Sequence, residues 1–271
     1  MSDGVSVIVT TKNSAATLDA CLSSIRAQSG EPIELIVIDN FSGDATPEIA
    51  RRYATGFEQA GPERSRQRNR GAGLAGGAWL LFVDSDMVLA PPTVAECVAV
   101  AATGVAAVII PEVSQGLGFW AACKALERAC YLGDDTIEAA RFIQHRLFDE
   151  LGGFDEELTG EEDWDLTARI RARGLSIGRS TTPLLHDEGA LSLRETMRTK
   201  FYYGRTMARY LRKHPRTART QMRLIRPAFL RNGKLLRAHP MRTTGMFAMK
   251  TCEIAAGAVG TVTGMWTDRR R

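Results

Sequence analysis

The chain has no apolar stretch that approaches the eighteen or so residues of a bilayer span, so no membrane-crossing helix is expected. Its cysteines are few: Cys21, Cys97, Cys123, Cys130 and Cys252 make an odd five among 271 residues. No two stand at metal-ligand spacing, which excludes a zinc framework and a disulfide scaffold and reads as reduced thiols in a cytoplasmic protein. No apolar leader precedes the first strand pattern, which begins a few residues after Met1, so no signal peptide is expected. There is no internal repeat and no low-complexity linker. Near the N-terminus Thr10-Thr11-Lys12-Asn13 is not glycine-rich, which argues against a nucleotidyltransferase that releases pyrophosphate.

Acidic residues are scarce in one region only. From Leu191 to Arg271 there are 19 Lys and Arg against 3 Asp and Glu, whereas the first 190 residues hold 16 against 28. The net charge of +4 therefore conceals an acidic body and a strongly basic tail. Such asymmetry suits an anionic partner or a solvated helical face. The tail lacks a zinc-finger or aromatic-interleaved recognition pattern, and the acidic body would repel phosphates, so a nucleic-acid-binding protein is not expected. The favoured reading is peripheral association with an anionic membrane surface at the inner face of the cell membrane, or a lipid-linked acceptor. A cap over an acceptor pocket and a homodimer contact stand as the alternatives.

What is present reads as an α/β protein. A length of 271 residues can bury one large core, or one core plus an appendage. Val5–Val9 alternates as a β-branched strand, and Leu18, Leu22 and Ile25 line one face of a helix over Ala16–Gln28 with Ser14 as candidate N-cap. Glu34–Asp39 is a second strand, and Pro47 suits the first turn of a second helix. Two strand–helix units in succession predict a parallel, Rossmann-like sheet. Trp79–Val83, Val105–Ile110, Arg141–His145 and Ser176–Arg179 read as further strands, and Phe119–Leu132, Leu147–Leu151 and Glu162–Ala172 as helices. Past His186 the pattern becomes helical, with an apolar stripe through Met197, Phe201, Gly204, Ala208 and Leu211 and a basic opposite face.

Carboxylates collect where these strands end. In Leu80-Leu81-Phe82-Val83-Asp84-Ser85-Asp86 an apolar run stops at two acids one residue apart, at the sheet edge where open α/β sheets bind ligands. Such a pair can hold a divalent cation that also takes phosphate oxygens; a solvated loop is the plainer reading. Asp39 ends the second strand, where it either accepts hydrogen bonds from a nucleobase or ribose or serves as a turn aspartate. Glu161, Glu162, Asp163 and Asp165 exceed what a helix start needs for capping, and one of them can act as a general base. His186 is either a ligand suited to manganese more than magnesium, or structural. Arg64, Arg66, Arg68 and Arg70 can meet phosphates or line a solvated helix.

Together these segments resemble the family-two inverting glycosyltransferases with the GT-A fold, of a bacterial, single-sugar type. Val7–Asn13 looks like the family's opening strand and loop. Ile36–Thr46 resembles its "VDDGSTDGT" signature, with Asn40 and Phe41 as departures. Arg68-Asn69-Arg70-Gly71-Ala72 resembles its arginine-asparagine-glycine segment, Asp84-Ser85-Asp86 its Asp-x-Asp motif, and Leu151–Glu156 and Gly160–Leu166 its "GGFDE" and "EDxDL" motifs. The resemblance implies a GT-A sheet flanked by helices over residues 1–190, a nucleotide-sugar half over about 1–110 and an acceptor half over about 111–190, followed by a basic helical extension over 191–271. It implies that Asp39 binds the base, that Thr10 and Asn13 line the nucleotide pocket, and that Arg70, Asp84, Ser85 and Glu162 contact substrate. Asp86, with His186, would hold Mn2+ or Mg2+, and Asp163 would be the general base. The donor expected is a nucleoside-diphosphate sugar, UDP ahead of GDP and dTDP, and the acceptor a hydroxyl of a lipid-linked, glycan or small natural product. The "QxxRW" motif of processive synthases is absent after Asp163, which fits transfer of one sugar.

Overall fold

The computed structural model describes residues 2–30 and 33–268. Its elements in chain order are β1 (Ser2–Thr11), α1 (Leu18–Arg26), β2 (Ile33–Asp39), α2 (Thr46–Tyr53), β3 (Gly56–Gln59), α3 (Arg64–Leu74), β4 (Gly77–Asp84), β5 (Met87–Val88), α4 (Thr93–Ala101), β6 (Ala107–Ile109) and β7 (Glu112–Leu117). There follow α5 (Gly118–Tyr131), β8 (Ala140–Gln144), α6 (His145–Glu150), α7 (Glu162–Ala172), β9 (Ile177–Arg179), β10 (Leu184–Ala190), α8 (Leu193–Lys213), α9 (Pro215–Gln221), α10 (Pro227–Arg231), α11 (Gly233–Ala238) and α12 (Pro240–Asp268). The chain forms two compact units, and neither is a single stretch of sequence. The first takes Met1–Glu112, Ala139–Glu156 and Leu166–Asp187, the second Val113–Glu138, Glu157–Asp165 and Glu188–Arg271.

The first unit is built on a seven-stranded sheet in the order β3-β2-β1-β4-β8-β6-β9. β8 runs antiparallel to β4 and β6, and the other pairings are parallel. Successive side chains of a strand face opposite sides, so β1 supplies two cores. Val5, Val7 and Val9 join Leu18, Leu22 and Ile25 of α1 on one face; Ile8 joins Phe82, Phe148, Phe154 and Ile170 on the other. The α/β expectation, with a mostly parallel sheet between helices, holds.

The second unit is helical around α5, α8 and α12. Cys123, Leu126 and Cys130 of α5 pack with Phe229, Met246 and Met249. α8 and α12 meet backbone against backbone. A Cβ built on Gly204 would collide with the Gly257 carbonyl oxygen, and one on Gly260 with that of Phe201, so only glycine fits. A buried ion cluster crosses the unit: Lys124 Nζ donates to Glu127 at 3.0 Å and to Glu253 at 3.1 Å, while Lys250 and the Tyr131 hydroxyl also donate to Glu127. No helix among the described residues is long and apolar enough to cross a membrane.

Candidate active site

β4 delivers Asp84 to the end of the parallel strands, paired in register with Thr10 of β1. Three guanidiniums face its carboxylate: Arg68 at 2.8 Å, Arg141 at 3.5 Å and Arg64 at 3.9 Å. Burial alone would raise the Asp84 pKa; the charges of Arg68, Arg64 and Arg141 outweigh it and hold the group far below the ordinary carboxylate range. Arg68 itself is fully buried, with its guanidinium over the Phe154 ring. Asp84 is therefore a permanent anion within a basic collar.

Asp86 lies two residues on and meets a different environment. β10 pairs antiparallel with β5, His186 opposite Met87, and the Asp187 N–H donates to the Asp86 carbonyl at 2.8 Å. This places His186 Nε2 3.3 Å from Asp86 Oδ2, and Nδ1 3.9 Å from Glu112 Oε2. Glu112 in turn accepts from Arg141 at 2.6 and 2.9 Å. Asp86 Oδ1 is shielded from solvent and accepts no hydrogen bond among the described residues. An unsatisfied carboxylate oxygen beside an imidazole is a donor set suited to Mn2+ or Mg2+. Among the described residues no three His, Cys, Asp or Glu side chains form a ready metal cage. A cation that keeps water and takes substrate phosphate oxygens needs no such cage, so the residues present fit one. The Cys21 thiol donates to the Asp84 carbonyl at 3.6 Å; burial first, then the Asp86 and Asp84 charges, push its pKa up and leave it unreactive.

The β2 end is self-bonded. Asp39 is buried, and its Oδ2 accepts from the Ser42 N–H and from Gln59 Nε2, both at 2.9 Å. Asn13 ties the β1 loop to the same turn: its N–H donates to Ser42 Oγ at 2.7 Å, and its Oδ1 accepts from the Gly43 N–H at 2.9 Å. Phe41 takes a left-handed φ of 49° and is 67% exposed, at the place where the family signature has glycine. Thr10 is buried, and Ser85 donates to Ser14 Oγ at 2.9 Å. Arg70 is held by Glu58 through bonds of 2.7 and 2.8 Å. The Asn69 side chain donates to the Phe154 carbonyl and accepts its N–H, fixing the turn after Gly152 and Gly153. Thus Asp84, Asp86 and His186 come together with Glu112 and Arg141, while Asp39 and Asn13 form a separate turn in the same unit.

In the second unit the acids at the start of α7 are distinguished by what α8 offers them. Glu161 Oε2 accepts from Thr206 Oγ1 at 3.1 Å, and burial, with the neighbouring Glu162 charge, pushes its carboxyl up to about 8. Glu162 accepts from the Gly160 N–H at 2.6 Å. Asp165 is buried and takes Lys213 at 2.9 Å and His214 at 2.8 Å. Asp163 is half-buried in the first helical turn between them. Gly160, at φ 96°, packs so close to Tyr203 of α8 that a Cβ would fall 2.5 Å from its ring.

The sequence profile of "Glycosyl transferase family 2" matches residues 6–154, more than half of the chain. The chain belongs to glycosyl transferase family 2. A second profile, "Glycosyltransferase like family 2", matches residues 134–218 of this family-two chain. It is 40% identical over 88 residues to the PGL/p-HBAD biosynthesis glycosyltransferase of Mycobacterium bovis, covering 30% of the chain and 34% of that protein. It is 34% identical over 94 residues to the succinoglycan biosynthesis protein ExoO of Rhizobium meliloti, covering 32% and 26%. These matches span about a third of the relatives' own length or less. In fold it resembles the mannosyltransferase PcManGT of Pyrobaculum calidifontis, solved with GDP-Man and Mn2+, at a TM-score of 0.66 and 20% identity over 97% of this chain and 87% of that one. The glucosyl-3-phosphoglycerate synthase of Mycobacterium tuberculosis, solved with Mn2+, UDP and glucosyl-3-phosphoglycerate, follows at 0.55 and 18% over 77% and 80%.

Sequence reading missed Glu112 and Arg141, which no local pattern marks, and the service of α8 to the acidic motif. Arg64 and Arg68 left a signal: four residues apart on a helix, they share the face that meets Asp84.

Proposed function

We propose that this protein moves one sugar from a nucleoside-diphosphate sugar to an acceptor hydroxyl with inversion of configuration. The observation that carries this is the buried, unsatisfied Asp86 Oδ1 beside His186, at the carboxyl edge of the sheet. Asp86 and His186 are the residues that would hold Mn2+ or Mg2+. Bound there, the cation supplies positive charge to the leaving diphosphate. Arg141 bridges Glu112, whose carboxylate lies 3.9 Å from the His186 ring, to Asp84, which ties this cluster together. Asp39, Thr10 and Asn13 receive the nucleotide, UDP ahead of GDP and dTDP. Arg70, Asp84, Ser85 and Glu162 contact substrate. Asp163 takes the proton of the acceptor hydroxyl; Glu161, with its proton retained near neutral pH, and Asp165, held by Lys213 and His214, are unsuited to that task. The hydroxyl then attacks the anomeric carbon opposite the departing diphosphate, with no covalent enzyme intermediate.

The test combines donor binding with turnover. Thermal shift with UDP, GDP and dTDP sugars plus manganese ranks the donors, since a ligand that binds the folded state raises its stability. Asp163→Asn should lower kcat by about 10²–10⁴ while keeping the donor shift. Asp86→Ala should lose both the manganese-dependent shift and turnover. Normal kcat in both variants sinks the assignment, and release of pyrophosphate instead of nucleoside diphosphate would replace the reaction class.

The tail supports a place at an anionic membrane surface. Met222, Arg223, Leu224 and Ile225 form an exposed run between α9 and α10, and Leu230 is 74% exposed nearby, with Arg216, Arg219 and Arg231 exposed around them.

A further inference from the structure

The second unit contains a cavity of about 360 Å³ whose walls come from α5, α11, the first turn of α12 and the Ser114–Gly116 segment. Its floor is an alanine face. Ala122, Ala125 and Ala129 follow at three- and four-residue spacing on α5, so short side chains leave a trough that Leu235 closes opposite. α12 seats firmly on α5 beyond it: a Cβ on Gly245 would lie 2.6 Å from Cys123 Sγ. The volume is at the small end of ligand sites, enough for one hydrocarbon chain.

The rim is charged. His239 and Arg242 line the cavity, and both are exposed. Neither side chain takes a hydrogen bond or ion pair among the described residues. They sit just before and within the first turn of a 29-residue helix that carries no acid there. The Arg242 cation at that end is opposed by the helix dipole, whereas an anion beside it would be favoured by the dipole, by the Arg242 charge and by a His239 N–H donor. Leu117 and Met241, each next in sequence to a lining residue, are 75% and 77% exposed, an apolar approach to an apolar hole.

We infer that this cavity binds an anionic amphiphile, a single hydrocarbon chain ending in a phosphate monoester, with the chain along Ala122, Ala125 and Ala129 and the phosphate at Arg242 and His239. Arg242 offers a planar fork to two phosphate oxygens. The inference rests on the second unit alone and stands whether or not the chain transfers sugar.

Titration calorimetry with dodecyl phosphate below its micelle concentration tests it, with dodecanol and inorganic phosphate as controls. Saturable one-to-one binding is expected for dodecyl phosphate, weaker binding for dodecanol and none for inorganic phosphate. Ala125→Trp fills the trough and should lower dodecyl phosphate affinity more than tenfold. Arg242→Ala, an exposed change that leaves folding intact, should lower it about tenfold and leave dodecanol unchanged. Asp86→Ala should bind as wild type does, so loss of sugar transfer with intact amphiphile binding separates the two readings. Undiminished dodecyl phosphate binding in Arg242→Ala, or equal binding of inorganic phosphate, overturns the inference.

Discussion

Two acids a few positions apart in chain order, Glu161 and Asp165, meet different partners: α8 brings Glu161 the Thr206 hydroxyl and only a lesser Lys200 charge, while Lys213 and His214 both bond Asp165. Glu161 therefore keeps its proton in the folded state up to about pH 8, against an ordinary value of 4.5. The folded chain binds that proton more tightly than the unfolded chain does. Its stabilising contribution is complete below pH 4.5, declines as the pH rises and is gone above about 8. Glu161→Gln, neutral at every pH, should match wild type in acid and exceed it near pH 9, on the order of 2 kcal/mol in urea unfolding. Equal pH slopes for the two proteins would refute this. None of it is legible in the sequence, where Glu161 to Asp165 is one run of acids. The Asp84–Asp86 split is not legible either: residues two apart on a strand share a face, and the two acids meet different neighbours because β4 ends at Asp84.

At the scale of elements, legibility follows locality. α7 lies at Glu162–Ala172 as its pattern predicts, and Gly152, Gly153 and Gly174 take the positive φ of helix stops. β1, β2 and β4 are plain from apolar runs. β10, Leu-Leu-His-Asp-Glu-Gly-Ala, is not: its polar residues carry no strand signature, and its pairing with β5 and β7 makes it a strand. The sequence of α3 suggests a basic, solvated helix, yet Arg68 is fully buried because Asp84, sixteen residues away, offsets its desolvation. The tail helices follow from their apolar stripes, but the closeness of α8 to α12 does not, since glycine in a helix reads as weakness until a second backbone occupies the space. Gly204→Ala should force these helices apart and cost roughly 1–3 kcal/mol, read as a fall in Tm. Gly233→Ala, with no atom within 4 Å of its Cβ, is the control and should change little.

For the whole molecule, the charge asymmetry predicts behaviour that no single contact does. Co-sedimentation with vesicles containing anionic lipid should be strong at low salt and fall as salt rises, with roughly 1 kcal/mol from each basic residue near the surface. Ile225→Glu with Leu230→Glu should weaken it further while leaving donor binding intact; salt-insensitive or absent binding would refute the membrane reading. The linear reading of an acidic body and a basic tail also hides how late the second unit can be completed. Glu127 of α5 meets Lys250 only 123 residues further along the chain. At about 5–20 residues per second, roughly 6–25 s of synthesis separate the two. Every strand of the seven-stranded sheet emerges before α8 does, so in the later part of that interval, once β9 is made, the nascent chain carries a complete set of sheet strands together with a helix whose buried acid and apolar side chains still lack their partners. The α5 surface at Leu126, Cys130 and Tyr131 then stays uncovered until α10 brings Phe229 and α12 brings Met246 and Met249.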